Sequence, residues 1–327
     1  LISLVHNEMV KMVRKRRIWV VTLILLVLIP IFTYGQFRSV QNTVRQLGTS
    51  DWRAVLQQQI IDQQNRLSSS RTPEEWKAFI RLNIQQQQYY LDHDINPAAP
   101  GAPTFVRNFA EQAVSLFLPL LVVVMAADIV SSEHSGGTIK LLLTRPVRRW
   151  KILTAKYLAL ILCVSLMVGL TILTGYLLSG VIFGYGGWDL PVLIGFQEQN
   201  GQLLTDHVHL IPQWKYILMS YGLAWFSCLA VATISFMVSV LVRSTAASMG
   251  IMLAAVISGS LLGQLAPSWQ DLKYLAFTNL RLTDYLAGRP VLVEGMDLSF
   301  SLTVLSVWSL VSLAIAFAVF TRRDVLA

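Results

Sequence analysis

Charged side chains are scarce in this chain. Asp, Glu, Lys and Arg make up 13% of its 327 residues, roughly half the share of about 25% usual in soluble domains. Hydrophobic residues reach 54% and the mean hydropathy is +0.55. The shortfall is concentrated in long apolar runs, which argues against an ordinary soluble fold and for bilayer spans. Cysteine is nearly absent as well. Cys163 and Cys228 both fall inside apolar runs, where they read as small buried hydrophobes rather than as a disulfide pair or a metal site.

Catalytic motifs are also missing. The nearest approach to a phosphate-binding loop, Gly136-Gly137-Thr138-Ile139-Lys140, lacks the Gly-Lys-Ser/Thr order that cradles phosphates, and there is no His-Glu-x-x-His and no Gly-x-Ser-x-Gly. No cofactor is expected on the chain, and it does not read as an enzyme. Two histidine clusters, Asp92-His93-Asp94 and Asp206-His207-Val208-His209, carry metal-ligand residue types, and on a strand His207 and His209 would point the same way. Short polar loop sequence accounts for both clusters equally well, and no metal site is assigned to them.

What is present is a set of six long apolar segments: 18–37, 105–130 with a kink expected at Pro119, 153–183, 215–242, 245–266 and 299–320. Each has the roughly 20 residues needed to cross a bilayer. No small-x-small cleavage site follows the first, which reads as an uncleaved helix rather than a signal peptide. Before it, residues 1–17 pattern as an amphipathic interfacial helix. Ile2, Val5, Met9, Met12 and Val13 share one face, and Asn7, Lys11, Arg14 and Lys15 the other.

The net charge of +8 lies close to the ends of the apolar runs, a pattern of membrane topology rather than of nucleic-acid binding. With the N-terminus inside, the inner segments hold fourteen bases against four acids, and the outer segments twelve bases against fourteen acids. Both termini are therefore expected in the cytoplasm. Apart from Lys215 at the very start of helix four, helices four, five and six have no charge within their spans, which disfavours a carrier coupled to protons or sodium, since such carriers use intramembrane acids. Thr171, Thr174, Ser235 and Ser239, with Gly169 and Gly175, are expected to allow close helix packing.

Segment 38–104 is the one sizeable outer part. Ser50 or Asp51 can cap a helix bearing Trp52, Leu56 and Ile60. Thr72-Pro73-Glu74-Glu75 reads as a capping box for a second helix, whose apolar stripe holds Trp76, Phe79, Ile80 and Leu91. An extracytoplasmic helical hairpin is expected, with Gln57–Gln59 and Gln85–Gln88 on solvated faces. The stretch 267–298 is too apolar for an ordinary loop, and short interfacial or re-entrant helices would bury Leu272, Leu275, Leu280, Leu282 and Leu286. The expected fold is thus an all-α polytopic membrane protein. It has an amphipathic helix at 1–17, a first span at 18–37, an outer segment at 38–104, and spans two to six within 105–327.

The inner segment 131–152 mixes apolar and basic residues in a length that cannot span a membrane. It contains Glu133, Gly137, Thr138, Leu142, Arg145, Pro146 and Arg149. Glu-x-x-x-Gly-Thr followed by a Leu pair and Pro, placed after the second span, resembles the signature of ABC transporter permeases of the type-2 export family. The six-span layout, the N-terminal amphipathic helix and the apolar stretch before the last span are similar to that family across nearly the whole chain. The outer segment between spans one and two is longer than in its simplest members.

The resemblance implies a permease subunit that pairs with a second, identical or similar, permease in the prokaryotic plasma membrane and rests on a cytoplasmic ABC ATPase. ATP and Mg would be bound by that partner. Residues 138–150 would form the coupling helix on the ATPase, with Glu133, Gly137, Thr138, Leu142, Arg145, Pro146 and Arg149 as coupling residues, and residues 1–17 the connecting helix in contact with membrane lipid. Apolar walls without fixed charges suit an amphipathic or hydrophobic cargo, a peptide, lipid or drug, moved outward. The competing expectation is a non-transporting membrane sensor or assembly protein that recognises a ligand through its outer hairpin.

Overall fold

The computed structural model describes residues 1–70, 74–97, 99–138, 147–199, 202–265, 269–289, 293 and 295–322. Among these, six helices are long and apolar enough to cross a membrane: Arg17–Leu47, Phe117–Ser135, Arg149–Phe183, Gln213–Leu241, Thr245–Leu262 and Leu298–Arg322.

The chain begins with α1 (Ile2–Arg14) and turns through Arg16, which takes the left-handed conformation at φ 59°, into α2 (Arg17–Leu47). Helix α2 buries one narrow stripe, Val21, Leu25, Ile29 and Thr33, at four-residue spacing against α8 (Arg149–Phe183). It outruns the expected span by ten residues. That extension carries Arg38, Gln41, Asn42 and Arg45, polar side chains that hold a helix in water as well as apolar ones do in lipid.

Beyond it, α3 (Trp52–Ser68) is capped by Asp51, whose carboxylate accepts from the Arg53 amide at 3.1 Å, and packs against α4 (Glu74–Asp92). Leu56, Ile60 and Leu82 are buried there, while Trp76 is exposed. The residues proposed as the start of the capping box, 71–73, lie outside the described residues. Of the glutamines, Gln86 is not merely solvated: it donates to the Ala287 carbonyl at 2.8 Å and ties the helix pair to the segment before the last span.

The second apolar segment is not one kinked helix. It is α5 (Ala102–Ala113), a break at 114–116, α6 (Phe117–Ala126), a turn at 127–130, and the short α7 (Ser131–Ser135). The kink expected at Pro119 falls before it. Proline at the third position of α6 has no N–H to lose there, whereas an unbroken helix would drive its ring into the carbonyl four residues back.

The stretch between α8 and α9 (Gln213–Leu241), expected as a loop, holds two short antiparallel strand pairs within an otherwise helical protein. Strand β1 (Pro191–Ile194) pairs antiparallel with β4 (His209–Pro212), and β2 (Gln197–Gln199) with β3 (Gln202–Leu204). Val192, Leu193 and Ile194 on β1 are all buried, an apolar run too short for a helix and suited to a strand. His209 lies on β4, His207 in the turn before it, and the His209 ring hydrogen-bonds the His207 carbonyl at 2.9 Å. His93 stacks on Tyr89 with ring centroids 3.9 Å apart.

After α10 (Thr245–Leu265) come two 3-10 turns, 270–274 and 276–279, then α11 (Leu282–Ala287) and α12 (Leu298–Arg322). Leu272, Leu280, Leu282 and Leu286 are buried as expected, while Leu275 is 40% exposed. The irregular backbone is satisfied from inside the protein. Asn279 donates to the carbonyls of Lys273 and Leu275, Ser227 to that of Leu280, and Ser301 to Asn279. This is the condition for non-helical backbone among membrane helices. Gly259 on α10 lets the turn through, because a Cβ there would collide with Phe277.

Helices α5, α6, α8 and α9 form the packed centre. Gly175 admits α5, with Val106 and Phe105 3.6 and 3.9 Å from where its Cβ would stand, but Gly169 faces open space. Thr171, Ser235 and Ser239 are fully buried.

Candidate functional site

One group of charged residues gathers at the end of the helices where α1, α7 and α8 meet. Lys156, on α8 and only 1% exposed, donates to Glu133 at 2.6 Å and to Glu8 at 2.8 Å. Lys11 donates to Glu8 at 2.7 Å and reaches Glu133 at 3.4 Å. Two acids and two bases thus form a neutral quartet joining α1, α7 and α8. Lys156, Glu8 and Glu133 are buried while Lys11 reaches solvent, and neutrality is what lets the three buried charges stay there.

Burial alone would push the Glu8 carboxyl up, but the neighbouring Lys156 and Lys11 outweigh it and hold Glu8 below its ordinary value. Burial likewise works to lower the Lys11 ammonium, and Glu8 and Glu133 reverse this and hold it above its ordinary value.

A second set lies beside the first. Arg17 pairs with Asp128 at 2.6 Å and donates to the Val124 carbonyl at 2.7 Å, and Lys15 donates to Ser132 at 2.7 Å. These contacts fasten the start of α2 to the turn between α6 and α7. Other helices hold the same turn. Ser239 accepts from the amides of Val130 and Ser131, both at 3.0 Å, and Ser248 donates to the Ala127 carbonyl at 2.6 Å. Together the charged side chains line a cavity of about 20 Å³, with room for about one water molecule. These contacts tie α1, α2, α6, α7 and α8 together at one place.

The residues singled out from sequence fall partly here. Glu133 is a member of the quartet. Gly137 adopts φ 68°, the left-handed conformation that ends a helix, and the Thr138 hydroxyl lies 3.5 Å from the Glu133 carbonyl. Glu133 thus lies within α7, and Gly137 and Thr138 follow its last turn, which Gly136 caps. Arg149 is the first residue of α8, and its guanidinium donates to the Thr321 carbonyl at 3.4 Å. Segment 131–152 is therefore not a single element, since it starts as α7 and ends inside α8. Leu142, Arg145 and Pro146 lie outside the described residues.

Glu8 was missed by sequence reasoning, although a signal existed: it sits between Val5 and Met12 at helical spacing, on the apolar face of α1. That face packs on α8 through Glu8 and Met12, whereas Ile2 and Val13, assigned to it by pattern, are 88% and 40% exposed.

A second charged group occupies the opposite end of α9. Glu111 accepts from the Tyr216 hydroxyl at 2.8 Å and pairs with Arg289, which also bonds Asp284 at 3.2 Å. Arg107 donates to Gln213 at 3.1 Å. Arg281 also pairs with Asp284 at 2.7 Å, so the group links α5, α9 and α11 with bases in excess. Among the described residues no group of three or more His, Cys, Asp and Glu side chains is placed to hold a metal ion.

Residues 77–326 match the family described as "Protein of unknown function (DUF2705)". The chain belongs to that family. Among its relatives is the uncharacterized protein YhcI of Bacillus subtilis (strain 168), 28% identical over 331 residues that cover 99% of each chain. YdbK of the same organism, named an uncharacterized membrane protein, is 26% identical over 215 residues, 65% of this chain and 80% of that protein. Six helices able to cross a bilayer, in a chain akin to a named membrane protein, place this DUF2705 member in a membrane.

Proposed function

We propose that the chain is the permease subunit of an ATP-driven exporter of the ABC type-2 kind. It works in the prokaryotic plasma membrane with both termini in the cytoplasm and the α3–α4 helix pair outside. A second permease completes the pathway, and a separate cytoplasmic ATPase binds ATP and Mg. The cargo is an amphipathic or hydrophobic molecule, a peptide, lipid or drug.

The observation that carries this reading is the position of Glu133. Its carboxylate meets Lys156 at 2.6 Å and Lys11 at 3.4 Å, at the point where the chain leaves the second span for the segment 139–146. A push delivered to that segment from the cytoplasm would reach α7 first. From there it would pass through the quartet to α1 and α8 and through Ser239 to α9. A protein that converts ATPase closure into helix movement needs such a joint, with stiff links to several spans and no catalytic groups of its own.

The test is co-purification of the tagged chain from its native host in mild detergent, followed by stoichiometry and ATPase assay. Recovery of an ATPase in equal ratio, with Glu133→Gln lowering transport more than ATP hydrolysis, is the expected result. Recovery of this chain alone would overturn the reading in favour of a membrane sensor or assembly protein.

A further inference from the structure

Three sulfur atoms converge where α1 crosses α8. Cys163 Sγ lies 3.5 Å from Met9 Sδ and 3.4 Å from Met12 Sδ. Met9 and Met12, three residues apart, project from the same face of α1, and Cys163 faces them from α8. Cys163 is 1% exposed and Met12 8% exposed, with Met9 packed against the same core. We propose that Cys163, Met9 and Met12 form a binding site for a soft monovalent metal ion of the Cu(I) or Ag(I) kind.

Ligand type selects the ion. Thiolate and thioether sulfur favour Cu(I) over harder cations, which prefer carboxylate, carbonyl or imidazole. Charge selects it again. On binding, the Cys163 S–H bond breaks, a sulfur–metal bond forms and the proton leaves to solvent. A univalent ion therefore leaves the net charge of the site unchanged, whereas a divalent ion would bury an extra positive charge.

The geometry needs little adjustment. With metal–sulfur bonds of about 2.3 Å, a planar trigonal site sets sulfurs about 4.0 Å apart, so each of the two Cys163–Met pairs must spread by about half an ångström. Methionine, unbranched and with three rotatable bonds, can supply that movement. Once bound, the ion would pin α1 to α8 alongside the ion-pair quartet. The inference is independent of the transport reading.

The full chain, purified in detergent, is titrated with Cu(I) held by a chromogenic competing chelator, and separately with Ag(I). One equivalent of each should bind, with an all-sulfur shell in X-ray absorption. Cys163→Ser should abolish binding and Cys228→Ser should leave it intact. The double variant Met9→Leu/Met12→Leu keeps the packing volume and so remains folded. It should lose at least the roughly tenfold in affinity that even changes outside the ligand shell can cause. A wild-type chain that takes no metal from the chelator would overturn the proposal, as would a leucine double variant that binds as tightly as the wild type.

Discussion

Lys156 is the residue on which the charged joint turns. Its ammonium is almost fully enclosed and bonds two carboxylates, Glu8 and Glu133. Removing one partner of a buried pair leaves the others uncompensated, typically at a cost of about 3–5 kcal/mol. Lys156→Met should therefore unfold at a clearly lower temperature than the parent in a detergent melt, although Met fills a similar volume.

The quartet also sets a pH window. Glu8 is held below its ordinary 4.5, so its contribution is fully present above pH 4.5 and is lost as pH falls through the depressed value. Lys11 is held above its ordinary 10.5, so its contribution is present below pH 10.5 and is lost as pH rises through the raised value. A spin label at exposed Ser3 should report α1 docked between these limits and released as acid protonates Glu8 below its ordinary range. Label mobility that stays constant through an acid titration until the whole chain unfolds would contradict the assignment.

At the scale of elements, the broken second span decides how the inner end of the bundle is built. The turn at 127–130 interrupts a helix among membrane spans, and its free backbone groups are met by Ser239 from α9 and Ser248 from α10. Ser239→Ala would leave the Val130 and Ser131 amides without that acceptor in a buried place. Each orphaned donor costs about 1–3 kcal/mol. Faster hydrogen exchange confined to 127–135 is the expected signature, and exchange unchanged there would show that the turn does not depend on Ser239. A hydroxyl that satisfies two amides across a helix interface looks in sequence like any small residue of a membrane helix. Its role became visible only when the opposing turn was in place.

At the scale of the whole molecule, two charged groups mark the two ends of the bundle, and the proposed topology puts the quartet inside. The ion-pair quartet, the basic α1 and the start of α8 lie at one end. The α3–α4 helix pair meets α11 through Gln86 at the end where Glu111 and Arg289 pair. With the native cysteines Cys163 and Cys228 buried, single introduced cysteines can report sidedness. In intact cells a membrane-impermeant maleimide should label Ser69→Cys and spare Ser135→Cys, and the opposite pattern would invert the topology.

Sequence alone determined the membrane class, the number of spanning segments, and the helical character of 52–68 and 74–92. Each of these follows from local composition and periodicity, which act through the solvent or lipid around a single segment. Glu133 could be singled out as well, through the Glu-x-x-x-Gly-Thr pattern after the second span, but not its partners Lys156 and Lys11. Tertiary structure alone decided which charges meet. Glu8 and Lys156 are 148 residues apart, and no local pattern says that an acid on an apolar face will find a buried lysine rather than water. The same holds for the break before Pro119, the strands at 191–212 and the contact of Cys163 with two methionines. Each depends on what another element places opposite it, and pairing between distant segments leaves no periodic trace in either one.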